Sequence, residues 1–361
     1  MFKHYSVMLV SLAALCGIAD VLSSAAEDAP TYAEHQDVSY YVDGSGQKQP
    51  IKTKEDWQIR RGHILANLHK VMGDLPQPKK PVPLEMTVLE ETKIGNLVRK
   101  KISYHADSAE QVVTAYLFLP AGDGKLPAVL CLHQTTGIGK GEPAGLGGNP
   151  NLHYALHLAQ RGYITLAPDY PSFGDYKYDF GPKLGYKSGS MKAIYDNVRA
   201  IDLLVSLPRV DADRIGCIGH SLGGHNTIFT AVHDTRIKVA VSNCGFTRFH
   251  KYYEGKLAGW TSARYMPLIA SEYGNNPDKV PFDFPELIAT LAPRAFLASS
   301  PVGDSNFEVS GVKDTIAAAK PVFKLLDAEE NLAANYPDCA HDFPEDVRKV
   351  AYEFLDKHLK K

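Results

Sequence analysis

The sequence predicts an α/β protein with a mostly parallel central sheet that is flanked by helices on both faces. The first observation is that apolar runs such as residues 126–133 (L-P-A-V-L-C-L-H) and 164–171 (I-T-L-A-P-D-Y-P) show little alternation, as expected of strands buried on both sides. The second is that stretches of helical spacing, such as residues 190–207, separate these runs. Strands that alternate regularly with helices build a parallel sheet that the helices cover.

The individual elements follow one another along the chain. A helix over residues 56–72 ends at G-D-L-P and is followed by the extended linker P-Q-P-K-K-P-V-P. Two alternating stretches, residues 84–105 and 111–120, begin the sheet in the manner of a hairpin. The later strands are predicted at residues 126–133, 164–171, 214–219, 237–244, 294–300 and 331–337, and the later helices at 151–163, 190–207, 223–233, 311–326 and 344–359.

One long segment interrupts this alternation. Residues 246–285, after the sixth predicted strand (237–244), are rich in aromatic side chains and contain scattered glycines. Long insertions in compact α/β domains are usually functional, although packing over the sheet edge would explain the same composition. Because aromatic side chains commonly line binding pockets, the segment predicts a lid or a pocket wall.

The composition is that of an ordinary globular protein. The chain has 361 residues, of which 44% are hydrophobic and 22% charged, and its formal net charge is −2. The basic residues are scattered and form no stripe that could follow a phosphate backbone. We therefore expect no nucleic-acid partner, and the sequence leaves the oligomeric state undetermined.

The N-terminal segment has the pattern of a secretory signal. Residues 1–26 combine a basic start, a short apolar core and small residues near Ala26. An uncleaved membrane anchor is the alternative, but the apolar run is shorter than the ~20 residues of a membrane span and Asp20 interrupts it. We expect export to the periplasm or beyond, with no stable membrane insertion once the signal is removed. Residues 27–83 would then form an arm, loose over its first half, and a helix, and residues 84–361 the catalytic domain.

The five cysteines include no C-x-x-C pair, so the spacing of a zinc site is absent. Cys131 and Cys217 lie in apolar runs and are interpreted as buried small side chains. Export would permit disulfides. Cys244 with Cys339 is the pair to test, although connectivity does not follow from sequence alone.

Ser221 is the candidate nucleophile. It lies in R-I-G-C-I-G-H-S-L-G-G-H, between a predicted strand and a predicted helix, which is the context that gives G-x-S-x-G its meaning as a nucleophile elbow. Gly219 and Gly223 leave the tight turn free of side chains, and the dipole of the following helix favours developing negative charge. A simple helix cap is the alternative for this serine.

A serine hydroxyl needs a base to become a nucleophile. In this arrangement the acid and then the histidine follow the serine along the chain. His341, in P-D-C-A-H-D-F-P before the last helix, is the candidate base, whereas His225 is interpreted as a residue that supports its helix. Asp304 is the candidate acid and Glu308 the alternative; the acid would hold the imidazole tautomer and stabilise the imidazolium.

The oxyanion of the reaction needs two backbone N–H donors. Leu222, after the nucleophile, supplies one, and the loop after residues 126–133 is expected to supply the other through Thr135 or, as the alternative, Gln134. The candidate substrate contacts are four aromatic residues: Tyr170, Phe246, Tyr253 and Trp260. This chemistry requires no cofactor and no metal.

Four motifs resemble those of the α/β-hydrolase superfamily, and within it the dienelactone-hydrolase-like branch: L-H-Q-T-T-G, A-P-D-Y-P-S-F-G-D-Y, G-H-S-L-G-G and A-H-D-F-P. The resemblance covers residues 85–361 and implies the α/β-hydrolase fold. Dienelactone hydrolases carry a cysteine nucleophile and a glutamate where this chain has Ser221 and Gln134. The departure favours a serine esterase. The branch also resembles acetyl xylan esterases and the catalytic domains of prolyl-oligopeptidase-like peptidases.

The predicted function is an exported serine hydrolase that cleaves carboxylic esters through an acyl-enzyme. Its substrate would be a small-molecule or oligosaccharide ester, such as an acetyl or aromatic ester of a carbohydrate. A peptidase or amidase of the prolyl-oligopeptidase-like branch is one alternative, although the segment before the domain is too short for the β-propeller such peptidases usually carry. A non-catalytic binding protein with a hydrolase fold is the other.

Overall fold

The computed structural model describes residues 29–181 and 185–360 of the chain. Within them the strands are β1 (Tyr40–Val42), β2 (Lys48–Pro50), β3 (Thr87–Ile94), β4 (Leu97–His105), β5 (Val112–Pro120), β6 (Leu126–Leu132), β7 (Ile164–Pro168), β8 (Val210–His220), β9 (Ile237–Asn243), β10 (Ala295–Ser299) and β11 (Leu332–Asn335). The α-helices are α1 (Lys54–Met72), α2 (Tyr154–Gln160), α3 (Gly189–Ser206), α4 (Leu222–His233), α5 (Leu268–Ser271), α6 (Phe284–Leu291), α7 (Val309–Leu325) and α8 (Glu345–Leu359). The signal-peptide prediction for residues 1–26 concerns a segment outside the described residues.

The large sheet of the described residues has the strand order β11-β10-β9-β8-β6-β7-β5-β4-β3, and β1 and β2 form a separate hairpin. The strands from β11 to β7 pair in parallel, whereas β5, β4 and β3 run antiparallel at one end. The prediction of a mostly parallel sheet is confirmed. Residues 84–105, predicted as one stretch, are two strands joined by a turn at Gly95, whose φ of 59° is a conformation that glycine adopts without strain.

Helices cover both faces of the sheet, as predicted. Leu130 of β6 belongs to one apolar core, whereas its neighbours Val129 and Cys131 belong to the core on the opposite face. Helices α1, α3, α4, α6 and α7 contribute to the first core, and α2 and α8 to the second. Burial on both sides explains why the central strands are continuous apolar runs. No helix in the described part of the chain has both the length and the apolar character that crossing a bilayer requires.

The segment before α1 is packed rather than loose, so the expectation of a loose arm is wrong. Its side chains Tyr32, His35 and Val38 are buried. His35 Nδ1 lies 2.8 Å from Glu286 Oε2 on α6, and Arg60 of α1 donates to Glu286 Oε1 at 2.7 Å. The buried Glu286 carboxylate thus ties the arm, through His35, to α6 of the main body of the protein.

The insertion after β9 packs its aromatic side chains inward. Its short helical turns are Phe249–Gly255, Leu257–Trp260 and α5, and Phe249, Trp260 and Phe282 are buried in the first core. The predicted segment 246–285 also contains the start of α6, which the sequence analysis missed. The signal was present in D-F-P-E, because Asp283 and Glu286 form a capping box around the first turn.

Candidate active site

Ser221 lies at a sharp turn between β8 and α4. Its φ of 54° and ψ of −117° are strained for a residue with a side chain, and its N–H is held by the Asn243 carbonyl oxygen at 2.9 Å. A Cβ on Gly219 would overlap the Gly223 backbone, and a Cβ on Gly223 would overlap the Leu132 carbonyl oxygen. The turn therefore has the strand–turn–helix context of a nucleophile elbow, at the carboxyl end of a central strand.

Asp304 and His341 are in hydrogen-bond contact although 37 residues separate them in sequence. His341 Nδ1 lies 3.0 Å from Oδ1 and 2.9 Å from Oδ2 of Asp304. Since an ionised carboxylate only accepts hydrogen bonds, Nδ1 carries a proton, and in the neutral form of the ring Nε2 is then the bare nitrogen.

The buried Asp304 side chain is held in its charged form. Its Oδ1 also accepts the backbone N–H groups of Asn306 and Phe307, at 2.8 and 3.1 Å. Burial raises the pKa of Asp304, but the hydrogen bond and charge of His341, with these N–H groups, outweigh burial and leave the pKa below its ordinary 3.8.

The alternative acid Glu308, and Asp342 directly after the histidine, have other partners. The exposed Glu308 side chain is paired with Ser310 and lies 3.6 Å from Lys251 Nζ. The Asp342 carboxylate accepts the side-chain amides of the loop after β6, from Asn149 at 2.8 Å and Asn151 at 2.6 Å. Of these carboxylates, Asp304 is the one that contacts the His341 ring in the described residues.

Two residues that the sequence analysis did not single out tie the serine turn to the histidine loop. The His220 ring, directly before Ser221, meets the His341 ring edge-on at 4.7 Å between centroids. The Asn243 side-chain amide donates to His220 Nδ1 at 2.6 Å and to the Asp342 carbonyl oxygen at 3.1 Å. Burial, followed by the charge of His341, lowers the pKa of His220 to about 3. The position of Asn243 was a usable signal, because polar residues at the carboxyl ends of parallel strands mark the sites of α/β sheets.

The loop after β6 begins with a histidine that fixes its direction. His133 Nδ1 donates to the Gln134 carbonyl oxygen at 2.6 Å, and Nε2 accepts the Tyr170 N–H at 2.9 Å. The N–H groups of Gln134 and Thr135 donate to no backbone carbonyl in the ranges that the structure covers. Leu222 opens α4, where N–H groups have no partner within the helix. The choice between Thr135 and Gln134 as the second oxyanion donor stays a prediction.

The four predicted substrate contacts have different environments. Phe246 is fully buried and stacks on Phe284 at 5.2 Å between centroids, so its prediction as a substrate contact is wrong and it is a core residue. Trp260 is 3% exposed, and Tyr170, 6% exposed, donates its hydroxyl to the backbone of the insertion. Tyr253 is half exposed and donates to the loop after β10. The roles of these last three stay predictions.

Folding brings together three side chains that could bind a metal ion and whose spacing in the sequence did not indicate such a site. The Cys244 thiol and ligand atoms of Asp304 and His341 lie within 4.8 Å of one another. An ion there would take the atoms that form the Asp304–His341 hydrogen bond and would compete with that pair. Cys244 and Cys339, considered above as a disulfide, are free thiols in the structure.

Comparison of the sequence with known proteins places the three candidate catalytic residues in a hydrolase family. Residues 151–360, which include Ser221, Asp304 and His341, match the model of the prolyl oligopeptidase family. "Putative hydrolase YtaP" of Bacillus subtilis (strain 168) is 27% identical over 324 residues, which cover 83% of this chain and 100% of that protein.

Solved structures show the same architecture. A glucuronoyl esterase from Solibacter usitatus is 20% identical with a TM-score of 0.70, over 92% of this chain and 99% of that one. An acetyl xylan esterase from Paenibacillus sp. R4 is 19% identical with a TM-score of 0.55, over 86% of this chain and 97% of that one. The chain has the α/β-hydrolase fold, and it belongs to the prolyl oligopeptidase family.

Proposed function

We propose that the chain is a hydrolase of carboxylic esters, in which Ser221 is the nucleophile, His341 the base and Asp304 the residue that orients the base. The observation that carries the proposal is the hydrogen-bonded Asp304–His341 pair, whose histidine ring packs against the residue directly before Ser221. A strained serine at the end of a strand, with a base and an acid from later loops, is the constellation that acyl transfer requires.

The reaction would proceed in two halves. Ser221 Oγ attacks the ester carbonyl carbon as its proton moves to His341 Nε2, and the resulting oxyanion accepts the N–H of Leu222 and that of Thr135 or Gln134. The leaving alcohol takes the proton from Nε2, which leaves Ser221 acylated. Water then attacks the acyl carbon, gives its proton to Nε2, and the acid departs as Ser221 recovers that proton.

The electrostatics of the pair support this assignment. A carboxylate whose pKa lies below its ordinary value stays ionised across the neutral range, so Asp304 can stabilise the imidazolium that forms on His341. Donors that are aimed at a developing oxyanion contribute about 10²- to 10³-fold each to the rate.

The substrate class follows by analogy alone. The similar solved structures are named a glucuronoyl esterase and an acetyl xylan esterase, which favours an ester of a carbohydrate over a peptide amide. The family also contains peptidases, as its description states, so peptide amides belong in the substrate panel.

Export is a further part of the proposal. Residues 1–26 have a basic start, an apolar core and small residues at the end, which is typical of a cleavable secretory signal. Cell fractionation with sequencing of the mature N-terminus tests this part. A protein that keeps Met1 and stays in the cytosol would contradict it.

The matched experiment compares Ser221→Ala with Ser271→Ala, an exposed serine on α5 of the insertion. Both proteins are assayed on p-nitrophenyl acetate, on acetylated, feruloylated and glucuronoyl sugar esters, and on a peptide amide. We expect Ser221→Ala to lose turnover and fluorophosphonate labelling, whereas Ser271→Ala keeps both. Undiminished turnover in Ser221→Ala would remove the nucleophile assignment, and turnover of amides alone would replace the esterase by a peptidase.

A further inference from the structure

His225 lies four residues after Ser221 in the first turn of α4, and its side chain has no evident structural task. The residue is 6% exposed, and neither ring nitrogen has a hydrogen-bond partner in the structure. Burial lowers the pKa of His225 to about 3, against an opposing interaction with the Gly245 backbone whose geometry falls short of a hydrogen bond. The ring is therefore neutral at working pH and offers one N–H donor and one bare acceptor nitrogen.

Trp260 of the insertion adds a second polar atom without a partner. Its ring centroid lies 4.9 Å from that of His225. The indole Nε1 is buried and makes no hydrogen bond in the structure. Two donors and one acceptor thus lie together, on rings that touch, one turn of helix from the proposed nucleophile.

Packing alone does not account for this pair. A buried donor or acceptor without a partner costs free energy, and such groups in native structures call for an explanation, such as an ordered water, an ion or a catalytic role. Phenylalanine would fill the position of His225 without that cost, as Phe229, one turn further along α4, does beside it at 5.9 Å. The nitrogen atoms are what distinguishes His225 from the surrounding core.

His225 and Trp260 also lie near the loop after β6, which holds the proposed oxyanion donors Thr135 and Gln134. The Tyr265 ring of the insertion meets the His225 ring edge-on at 6.2 Å between centroids. The Tyr265 hydroxyl lies 3.2 Å from Thr135 Oγ1. Tyr265 thereby links His225 and Trp260 to the loop after β6, and the backbone N–H of His225 donates to the Ser221 carbonyl oxygen at 3.2 Å, one turn back along α4.

We propose that His225 and Trp260 form a binding subsite for the hydroxyl groups of a carbohydrate ring in the ester substrate. The inference deepens the proposed function and rests on it. A hydroxyl group both donates and accepts, so neighbouring hydroxyls of a sugar satisfy the imidazole donor, the imidazole acceptor and the indole donor together. A carboxylate only accepts and leaves the bare nitrogen unpaired, and an alkyl group leaves all three atoms unpaired.

The aromatic surroundings suit the rest of such a ring. Trp260, Tyr265 and Phe229 surround His225. Of these rings Tyr265 is the partly exposed one, and a flat aromatic face of this kind packs against the apolar C–H face of a pyranose sugar. A site that is built to bond substrate hydroxyls discriminates strongly against analogues that lack them, because its buried polar atoms are then left unpaired. The subsite therefore predicts that the protein prefers a sugar ester to an ester whose ring has the same size but no hydroxyl groups.

The experiment uses two pairs of esters that differ in ring hydroxyls. Acetylated methyl xyloside is compared with cyclohexyl acetate, and the methyl ester of a glucuronoside with methyl cyclohexanecarboxylate. The quantity measured is the ratio of kcat/KM for the sugar ester to that for its hydroxyl-free partner. The wild-type protein should favour the sugar in at least one pair, which also shows whether the subsite holds the alcohol or the acyl group.

Three variants then isolate the nitrogen atoms of His225. His225→Phe should lower the ratio about three- to tenfold, which is the effect of losing a hydrogen bond between neutral groups. His225→Gln, which restores a donor and an acceptor, should recover part of it. His250→Phe, at a histidine of the insertion that already pairs with Asp278 at 2.7 Å, should leave the ratio as in the wild type.

A binding measurement separates this inference from the proposed function. Quenching of tryptophan fluorescence by methyl xyloside is followed in Ser221→Ala protein, with and without His225→Phe; Trp260 is one of the chain's two tryptophans. Binding that depends on His225 supports the subsite even if no ester is cleaved. Unchanged ester ratios in His225→Phe and His225→Gln, or fluorescence that hydroxyl-free cyclohexanecarboxylate quenches and neither methyl xyloside nor glucuronate does, would overturn it.

Discussion

Replacing Asp304 by asparagine tests the proposed mechanism at its most specific contact. The carboxylate of Asp304 accepts His341 Nδ1 on both oxygens, at 3.0 and 2.9 Å, and accepts two backbone N–H groups on Oδ1. The amide oxygen of asparagine can keep the backbone bonds, which leaves its NH₂ group facing Nδ1. Two donors cannot face each other, so the imidazole changes tautomer and places its proton on Nε2. The base is then unable to accept the proton of Ser221.

The size of the effect follows from the loss of the base alone. The same exchange in serine proteases lowers kcat about 10⁴-fold, which corresponds to about 5.4 kcal/mol of transition-state stabilisation. KM should change little, because Asp304 is buried and would act on the substrate only through His341. Folding should be retained, because the asparagine fills the same volume.

The assay is steady-state turnover of p-nitrophenyl acetate by Asp304→Asn and by Glu308→Gln, with thermal unfolding of both proteins as the check on folding. Glu308 is four residues further along and its side chain is exposed, so its variant should stay close to wild type. Activity of Asp304→Asn within tenfold of wild type would refute the assignment of the acid. A large loss in Glu308→Gln instead would transfer that role to Glu308.

Two further predictions concern the turn at Ser221 and the N-terminal arm. Gly223→Ala should abolish turnover and lower the free energy of unfolding by about 1–3 kcal/mol or more, because the new methyl group overlaps the Leu132 carbonyl oxygen. The control is Gly62→Ala on α1, where nothing lies within 4 Å of the added methyl group, and it should lower neither turnover nor stability. Equal melting temperatures for the two variants would contradict the predicted overlap. His35→Gln should destabilise the protein more below pH 6.5 than at pH 9. Burial opposes protonation of His35, but Glu286 outweighs burial and raises the pKa of His35 in the folded protein. The stabilisation by His35 is therefore complete below its unfolded pKa of 6.5 and is lost as the pH rises through its folded pKa. Urea unfolding across that range measures it, and a pH-independent difference from wild type would argue against the ion pair.

The order of the central elements and the turn at Ser221 follow from short stretches of sequence. Apolar runs identify strands buried on both faces because burial on both sides removes the need for alternation. The motif around Ser221 is equally local, since its strained φ and the glycines beside it belong to one turn of chain. Even the pairing of His341 with an acid from the loop after β10 was predictable, because chain order in this fold restricts the choice.

Patterns within the insertion were less informative. A segment that lines a pocket and a segment that fills a core can be equally rich in aromatic residues. Phe246 was therefore predicted to contact substrate, whereas the structure buries it against Phe284. His225 was assigned to helix support, because spacing along a helix does not show what faces it. Its contact with Trp260 depends on how the insertion folds back over α4.

The sequence by itself determined the fold class and limited the candidates for the nucleophile and its partners, because these rest on local conformation and on the order of elements. Only the tertiary structure decided which candidates meet. Asp304 and Glu308 lie in the same short segment, yet Asp304 contacts His341 whereas Glu308 lies near Lys251. His35 and Glu286 are 251 residues apart and share a buried contact. Such contacts depend on which faces of distant elements pack together, and that is settled by the burial of the whole core rather than by any one segment.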